Sequence, residues 1–390
     1  MTRSADKRSR WSARALVTLG AIACLAGTPG PPPNQVLKVV PGDPSMFQTI
    51  NAAVAAARMG DIISISPVGS PYHECVSIIN RFNLRVGPSG GARVTIDGTG
   101  ACPASQAAFA ISLSRHVFVQ NIDLLGNPGG QGFFVDHSGD VEFTNVSAKG
   151  FGGCGLVTSL SVVGFFVTTS SFTNNPGGGL CLNGNGFWIT NTRTDGNGNA
   201  GILFQGDSGG NAINAWIGGL LSGPSQAVGV VPQAPGRLNN VFVTRSTFGK
   251  RGMTPMNGAV GITGTGVNLD VSSSYFYGMG IDTGASGNLT RNVVSNCSGP
   301  AFVTGPAPLA MTFASNTAQN CSGAGFDLTG AFASRNLAAG NSGGGFVARD
   351  NSFLERNTAR TNGGPGFSRI GTQNGGRLNV SDDVVPADFQ

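Results

Sequence analysis

The sequence predicts an all-β chain that folds as a parallel β-solenoid, and three observations support this fold class. Residues 292–367 hold four near-copies of one short unit, each running from an Asn to a Phe ten residues later. The closing Phe residues are 24, 20 and 21 positions apart, and a nearly fixed period of this length is typical of stacked repeats. Between the copies, short alternating segments are interrupted by Gly and Asn, which suits small strands joined by sharp corners.

The same period extends towards the N-terminus and sets the expected number of coils. The apolar residues that close successive units are Phe109, Phe133, Leu156, Leu180, Ile202, Ile262, Ile281 and Phe302. They predict about twelve coils, a rod of about 60 Å at roughly 4.8 Å per stacked strand. Phe side chains in register should stack inside the rod, and Asn side chains should hydrogen-bond along a ladder.

Residues 203–260 break this rhythm, and we interpret them as an irregular insertion that holds one or two coils and loops. Val228–Val230 and Val241–Val243 are the strand candidates within it. Loops that leave a solenoid often line its binding face, although a tolerated surface insertion would look the same in the sequence. The polar and aromatic side chains it offers are Gln205, Asp207, Trp216, Arg237, Arg245, Lys250 and Arg251.

Residues 1–33 have the pattern of an export signal followed by a Pro-rich linker. Five basic residues precede an apolar stretch over residues 15–26, which is too short to span a membrane. The segment before Cys24 allows ordinary cleavage and also resembles a bacterial lipoprotein box, so a lipid anchor at Cys24 is left open. We therefore expect a secreted or cell-surface protein without a transmembrane segment.

The charge of the chain is concentrated in this leader. The chain carries 24 Lys and Arg against 19 Asp and Glu, and residues 1–33 hold five of the bases and one of the acids. The remainder therefore has 19 bases and 18 acids, a net charge near +1. No basic tract remains that would indicate nucleic-acid binding.

Six of the seven cysteines lie beyond the leader, and their spacing predicts disulfides between neighbouring coils. Sequential pairing gives Cys75–Cys102, Cys154–Cys181 and Cys297–Cys321, with separations of 27, 27 and 24 residues. Stacked positions lie close enough for such bonds, and an exported chain favours them over buried free thiols. The spacing of His and Cys does not indicate a zinc site.

The first elements of the repeat region are a strand and the one convincing helix. Val36–Val40 alternates as a strand, and residues 45–58 place their apolar side chains on one helical face. A solenoid needs a cap over the open end of its core, and this helix is predicted to supply it. Strands are then expected at Ile62–Ser66, Val76–Ile79, Leu84–Val86 and Val94–Ile96.

This opening carries a resemblance. Phe47-Gln48-Thr49-Ile50, then Gly60-Asp61-Ile62-Ile63 and Tyr72-His73-Glu74, resemble the start of the pectin-lyase-like right-handed parallel β-helix superfamily. The resemblance implies one right-handed parallel β-helix domain over residues 34–380, followed by a C-terminal tail over residues 381–390. It does not specify an activity, because that superfamily includes lyases, hydrolases, esterases, epimerases, tailspikes, copper-accessory proteins and non-catalytic surface proteins.

The richest polar cluster of the repeats contains Arg115, His116, Asp136, His137 and Asp140. Aligning residues 117–121 on residues 141–145 gives an offset of 24, which places His116 over Asp140, Arg115 over Gly139 and Ser112 over Asp136. A cation beside carboxylates could abstract a proton next to a uronate carboxyl group, which the Arg would neutralise. Asp136-His137 also resembles part of the Asp-Pro-His motif of alginate epimerases, without its Pro. The alternative is that these are ordinary corner residues.

Candidate substrate-binding residues follow the same outward column or offer aromatic rings for sugars. The column continues through Asn183 and Gln205, and Trp216 is the third candidate, with Trp188, Tyr275 and Tyr277 as further rings. The segment Asp195–Asn199 has the composition of a Ca²⁺ loop but reads more simply as a corner, so no metal site is predicted and Ca²⁺ stays open as a ligand. The Asp382-Asp383 pair lies outside the coils.

Taken together, these patterns predict a monomeric secreted or surface β-helix protein that engages acidic polysaccharide. As an enzyme it would be a lyase or an epimerase that uses the cluster around His116. The alternative is a non-catalytic adhesive or structural surface protein. A copper-accessory role is disfavoured by the presence of only three His residues in the chain.

Overall fold

The computed structural model describes residues 34–126, 128–205, 213–233, 237–254, 258–305 and 310–382. The predicted export signal, Cys24, Asp207, Asp383 and most of the C-terminal tail lie outside the described residues. Within the described part, short strands stack turn upon turn into three parallel sheets.

Sheets 1 and 2 form one hydrogen-bonded set of 26 strands, and sheet 3 has 13 strands. Sheet 1 contains Val76–Ile79, Ala107–Ser112, Gln131–Asp136, Cys154–Thr158, Gly178–Leu182, Ile202–Phe204, Val228–Pro232, Phe302–Thr304, Phe326–Thr329, Phe346–Arg349 and Phe367–Ile370. Sheet 2 contains Val36–Val39, Ile62–Ile65, Arg85–Pro88, Phe118–Gln120, Gly139–Thr144, Val163–Thr168, Asn185–Thr190, Ala215–Gly218, Val241–Thr244, Met311–Ala314, Ala331–Ser334, Phe353–Glu355 and Gly375–Arg377. Two long strands contribute their first halves to sheet 1 and their second halves to sheet 2: Val260–Ser272 and Gly280–Thr290.

Sheet 3 closes each turn. It contains Val94–Asp97, Ile122–Leu125, Ser147–Lys149, Ser171–Thr173, Arg193–Asp195, Leu221–Ser222, Thr247–Phe248, Tyr275–Tyr277, Val293–Ser295, Thr317–Gln319, Leu337–Ala339, Thr358–Arg360 and Val380–Ser381. Short 3₁₀ turns lie at Pro67–Gly69 and Ser89–Gly91. The residues that the structure describes make about fourteen turns, so the expected count of about twelve was slightly low. The low count has its origin at the N-terminal end, because the counted apolar residues begin at Phe109, whereas Val36–Val39, Ile62–Ile65 and Val76–Ile79 already belong to earlier turns.

Within the described parts of residues 203–260, Ala215–Gly218 and Val241–Thr244 continue sheet 2 in register, and Val228–Pro232 continues sheet 1. Both predicted strand candidates are present. The loops between these strands are longer than elsewhere, which stretches the period in the sequence while the ladders continue.

The helix is shorter than predicted. It runs over Ile50–Ala56 instead of residues 45–58, because Phe47 is held in an extended bridge beside Val39. The Thr49 side chain caps its start by accepting a hydrogen bond from the Ala52 N–H. The carboxylate of Glu74, from the following turn, accepts two further N–H groups, those of Ile50 and Asn51. The apolar face of the helix is buried, and its role as an end cap stays a prediction.

Two internal ladders hold the C-terminal turns in register. The rings of Phe302, Phe326, Phe346 and Phe367 stack with centroids 4.7, 4.6 and 5.0 Å apart. The second ladder consists of the buried Asn residues of the same repeats: Asn292, Asn316, Asn336, Asn357 and Asn379. Each Asn side-chain oxygen after the first accepts from both the backbone N–H and the side-chain amide of the Asn one turn earlier.

The three predicted disulfides are present. Cys75–Cys102, Cys154–Cys181 and Cys297–Cys321 join neighbouring turns, with Cα atoms 5.4, 6.1 and 4.5 Å apart. Cys154 lies opposite Gly178, so its partner is three positions out of register, as the spacing indicated. Over the part of the chain that the structure describes, no helix is long and apolar enough to cross a membrane.

Candidate functional site

The predicted cluster lies at the corner between sheets 1 and 2. Ser112 is opposite Asp136 and Arg115 is opposite Gly139, so the 24-residue offset gives the correct register. His116 and Asp140 both adopt left-handed backbone, with φ of 54° and 52°. The two residues therefore occupy the same corner position in consecutive turns.

The side chains of the cluster form two hydrogen-bonded groups. Arg115 Nε donates to Asp140 Oδ2 at 2.9 Å, and His116 Nδ1 lies 3.7 Å from the same oxygen. In the second group, His137 Nδ1 lies 2.7 Å from Asp136 Oδ1. Asp140, which accepts from Arg115 and lies close to His116, can therefore orient the imidazole of His116. Asp136 and His137 form a separate pair.

Asp136 stays ionised over a wider pH range than an isolated Asp. Burial disfavours its charge, but hydrogen bonds from Ser159 and His137 outweigh that effect, so the pKa of Asp136 lies below its ordinary value. With this lowered pKa, Asp136 is better suited to hold His137 as a carboxylate than to donate a proton.

Asp140 borders two clefts. The first has a volume of about 780 Å³, and His116 and Asp140 share its lining with side chains of sheet 2: Arg85, Phe118, Glu142 and Phe166. The second, of about 820 Å³, lies at the corner, where Arg115, His137 and Asp140 meet exposed apolar side chains. The first group therefore borders both clefts, because His116 lines the first and Arg115 the second, whereas His137 lines only the second.

Glu142 and Arg85 are cleft residues that the sequence reasoning missed. Arg85 opposes Phe118 with its guanidinium 5.9 Å from the ring centre, and Phe118 in turn opposes Glu142. Thr144 donates a hydrogen bond to Glu142 at 3.1 Å. The same 24-residue offset that paired His116 with Asp140 also pairs Phe118 with Glu142, and it was the signal that could have found this carboxylate.

A row of aromatic side chains continues from this cleft along the outward face of sheet 2. We define the aromatic row as Phe166, Trp188, Trp216 and Phe242, which oppose one another in four consecutive turns. Their exposed fractions are 37, 49, 38 and 41%. The rings of Phe166 and Trp188 stack with centroids 5.9 Å apart. Trp188, Trp216 and Phe242 line a shallow hollow of about 310 Å³.

Of the three predicted substrate-binding residues, the structure places only Trp216 in the aromatic row. Asn183 and Gln205 follow strands of sheet 1, where Gln205 N–H donates to the Leu182 carbonyl at 2.8 Å. The Asn183 backbone is held by Thr158, whose hydroxyl donates to the Asn183 carbonyl at 2.6 Å. Asn183 Oδ1 is buried and has no hydrogen-bond partner among the described residues.

The candidate Ca²⁺ segment has the contacts of an ordinary corner. Asp195 accepts from Arg193 at 3.2 Å and from the Ser225 N–H at 3.1 Å, and Gly196 follows it with left-handed backbone. Over the described ranges, no group of three or more His, Cys, Asp or Glu side chains is placed to hold a metal ion.

Comparisons with known proteins agree with the architecture. The family described as "Right handed beta helix region" matches residues 107–217, which include the cluster and three of the four members of the aromatic row. No curated protein sequence matches the chain.

Three solved structures illustrate the range of proteins with a similar fold. Tailspike protein 3 of Bacteriophage CBA120 is 13% identical with a TM-score of 0.48, over 86% of this chain and 58% of that one. The catalytic unit of an α-1,3-glucanase from Streptomyces thermodiastaticus is 14% identical with a TM-score of 0.41, over 93% and 71%. The surface adhesin PfbA of Streptococcus pneumoniae is 12% identical with a TM-score of 0.39, over 81% of each chain.

At these identities and TM-scores the solved structures carry no inference about the role of the chain, which depends on its own side chains. The three parallel sheets and the ladders inside them show that the described residues fold as a parallel β-helix, and residues 107–217 match the right-handed β-helix family.

Proposed function

We propose that the chain binds a polysaccharide lengthwise along the outward face of sheet 2. The observation that carries this proposal is the aromatic row, whose four rings are each exposed over more than a third of their surface. Pyranose rings have one flat face of C–H groups, and such faces stack on exposed aromatic rings. Successive rings are roughly 4.8 Å apart along the solenoid, close to the length of one sugar unit in an extended chain.

A second row on the same face supplies hydroxyl groups for the edges of the sugars. Two positions after each aromatic residue, the strands carry Thr168, Thr190 and Thr244, with Gly218 between them. Thr190 donates a hydrogen bond to Thr168 at 2.8 Å. Aromatic faces beside small hydroxyl side chains match a ligand with apolar faces and polar edges.

Catalysis at the end of the row is a second candidate function, and it has its own observation in support. Phe166 belongs both to the aromatic row and to the cleft that contains His116, Asp140 and Glu142. A bound glycan that extends past Phe166 would reach these groups, where His116 could serve as general base and Arg115 could position Asp140. The reaction would be a lyase or epimerase reaction on a uronate polymer. The rival function is adhesion without turnover.

The proposed location is the cell exterior, either as a secreted or as a surface-attached protein. The three disulfides support it, because such bonds persist in oxidising compartments. The export signal over residues 1–33 and the monomeric state stay predictions that belong to this proposal.

Ligand length tests the binding function. Isothermal calorimetry with oligosaccharides cut from a polysaccharide that the protein retains should show affinity rising with each added sugar up to about four units, the length of the row, and then levelling off. Affinity that is independent of length, or retention of none of a panel of polyuronates, glucans and mannans, would overturn the proposal.

Turnover separates the enzyme from the adhesin. The full chain is incubated with polyuronates while unsaturated product and new reducing ends are measured, and then compared with His116→Ala and Asp140→Ala. The catalytic candidate predicts activity that both variants abolish with binding retained. Equal turnover in the variants would overturn the roles of His116 and Asp140, and no turnover by a native chain that binds the polymer would leave adhesion as the function.

A further inference from the structure

A second ordered surface runs along the corner between sheets 2 and 3. From Asn121 onward, this corner contains one residue with left-handed backbone in each turn, with φ between 47° and 66°. In the N-terminal turns the position is held mostly by Asn, as at Asn121, Asn145 and Asn191. In the following turns it is held by Arg or Ser instead, in the order Arg245, Ser273, Arg291, Ser315, Arg335 and Arg356, and Leu378 holds it in the last turn.

Backbone hydrogen bonds show that the six Arg and Ser residues belong to consecutive turns. The N–H of each donates to the carbonyl that precedes the next corner residue, for example Arg245 to Ser272 at 3.2 Å and Arg335 to Glu355 at 3.1 Å. At roughly 4.8 Å per turn, the first three Arg residues are spaced about 10 Å apart and the last two about 5 Å. We define the arginine row as Arg245, Arg291, Arg335 and Arg356.

Local backbone preference does not account for these Arg residues. Left-handed backbone favours Gly and Asn, and a long side chain at this position is uncommon and carries a cost. Ser already fills the same corner at Ser273 and Ser315, so the fold itself does not require a base. Four bases in one column of a domain whose net charge is near +1 therefore point to something outside the fold.

Three members of the row have no counter-ion in the described part of the chain. Arg245, Arg291 and Arg335 are exposed and form no ion pair with a described residue. Arg356 Nε lies 3.9 Å from Glu355 Oε1, a carboxylate that Arg377 also approaches at 3.0 Å. Guanidinium groups spaced along one line, with their charge unneutralised, suit a linear ligand with repeating anionic groups.

Exposed rings accompany the last part of the row. Phe332 and Phe353 lie three positions before Arg335 and Arg356, on the outward face of sheet 2. Their rings are more than a third exposed and stack with centroids 6.0 Å apart and an interplanar angle of 6°. Each of these two adjacent turns therefore offers a guanidinium group for an anionic group of a ligand and an aromatic face for a sugar ring.

We propose that the arginine row is a second binding site, for a linear acidic polysaccharide that runs along the corner between sheets 2 and 3. Its carboxylate or sulfate groups contact Arg245, Arg291, Arg335 and Arg356, and its sugar faces contact Phe332 and Phe353. The choice of a polysaccharide over another polyanion rests on the proposed function. The site itself lies outside the aromatic row, from which only Phe242 shares a turn with it.

Ser substitutions give a matched test, because Ser is the residue this column uses in other turns. In the full chain, Arg245, Arg291 and Arg335 are replaced together by Ser. The control replaces three exposed bases outside the row, Arg58, Lys149 and Arg360, with the same loss of charge. Affinity for polygalacturonate, for heparin and for neutral dextran is measured by calorimetry at two salt concentrations, and circular dichroism verifies the fold.

The expected result is a loss of roughly tenfold to hundredfold in affinity for the acidic polymers, larger at low salt, in the row variant only. Affinity equal to that of the control variant, or no binding of either acidic polymer to the native chain, would overturn the site. Single-stranded DNA that binds the row as tightly as the acidic polymers would overturn the ligand class.

A separate variant keeps this proposal distinct from the proposed function. Trp188→Ala should weaken binding at the aromatic row and leave the salt-dependent binding of heparin at the arginine row unchanged. If Trp188→Ala has no effect while the Ser variant loses heparin, the aromatic row fails and the arginine row stands. The reverse pattern overturns the arginine row alone.

Discussion

Replacement of Trp188 and Trp216 by Ala is the perturbation whose effect on polysaccharide binding can be estimated most directly. The two side chains are 49 and 38% exposed in adjacent turns. A Trp side chain offers up to about 250 Å², so together they leave roughly 200 Å² of mostly apolar surface open. A glycan lying flat on the row would cover about half of this area.

At about 25 cal/mol per Å², that contact is worth about 2.5 kcal/mol, or roughly a 60-fold change in Kd. Each single variant should lose roughly tenfold. The assay is calorimetric titration with a polysaccharide that the native chain binds, and unfolding by urea shows that the variants remain folded. Both side chains point outward, so their removal should change the stability by less than about 0.5 kcal/mol.

Tyr275→Ala is the matched control, since Tyr275 is 48% exposed on sheet 3 and outside the row. It should bind like the native chain. A double Trp variant with native affinity, or a Tyr275 variant with an equal loss, would refute the assignment of the row.

Three further predictions concern the scaffold. Asn336→Ala should destabilise the chain by about 3 kcal/mol in urea unfolding, because it leaves the buried N–H of Asn316 and the carbonyl of Phe313 in the preceding turn without this partner; a loss below about 1 kcal/mol would contradict the ladder. Replacing Cys297 and Cys321 by Ser should cost about 3 kcal/mol under oxidising conditions and nothing under reducing ones, and equal loss in both would show that the disulfide is not the cause. Burial opposes the charge of Asp123, but hydrogen bonds from Arg93 and Ser147 outweigh this effect and lower the pKa of Asp123. The ionised Asp123 therefore stabilises the folded chain above about pH 4, and this stabilisation is lost as the pH falls through the lowered pKa. Asp123→Asn should therefore flatten the acid side of a plot of Tm against pH, and an unchanged slope would count against this ion pair.

The C-terminal repeats could be predicted closely because identical residues recur at nearly constant offsets of 20 to 24 residues. Phe326 over Phe302 and Cys321 over Cys297 are both separated by 24 residues, so the sequence alone reveals which side chains are stacked. The same offset placed His116 over Asp140. It could not reveal contacts between neighbouring columns, and so it did not separate the Asp136–His137 pair from the Arg115–Asp140 pair.

The aromatic row was harder to predict because its members are unevenly spaced. Phe166, Trp188, Trp216 and Phe242 are 22, 28 and 26 residues apart, since loops of different length leave the solenoid between them. A fixed offset cannot align them. The available signal is local, because each is flanked on both sides by residues that face inward, as Trp188 is by Phe187 and Ile189.

Tryptophan fluorescence tests the central claim most directly. The chain has three Trp residues, and replacing Trp11 by Phe leaves only Trp188 and Trp216, both in the aromatic row. A polysaccharide bound along the row should shift their emission to shorter wavelength and protect it from acrylamide, with the same saturation curve as calorimetric binding. Binding that saturates while emission and quenching stay unchanged would place the glycan elsewhere and contradict the account.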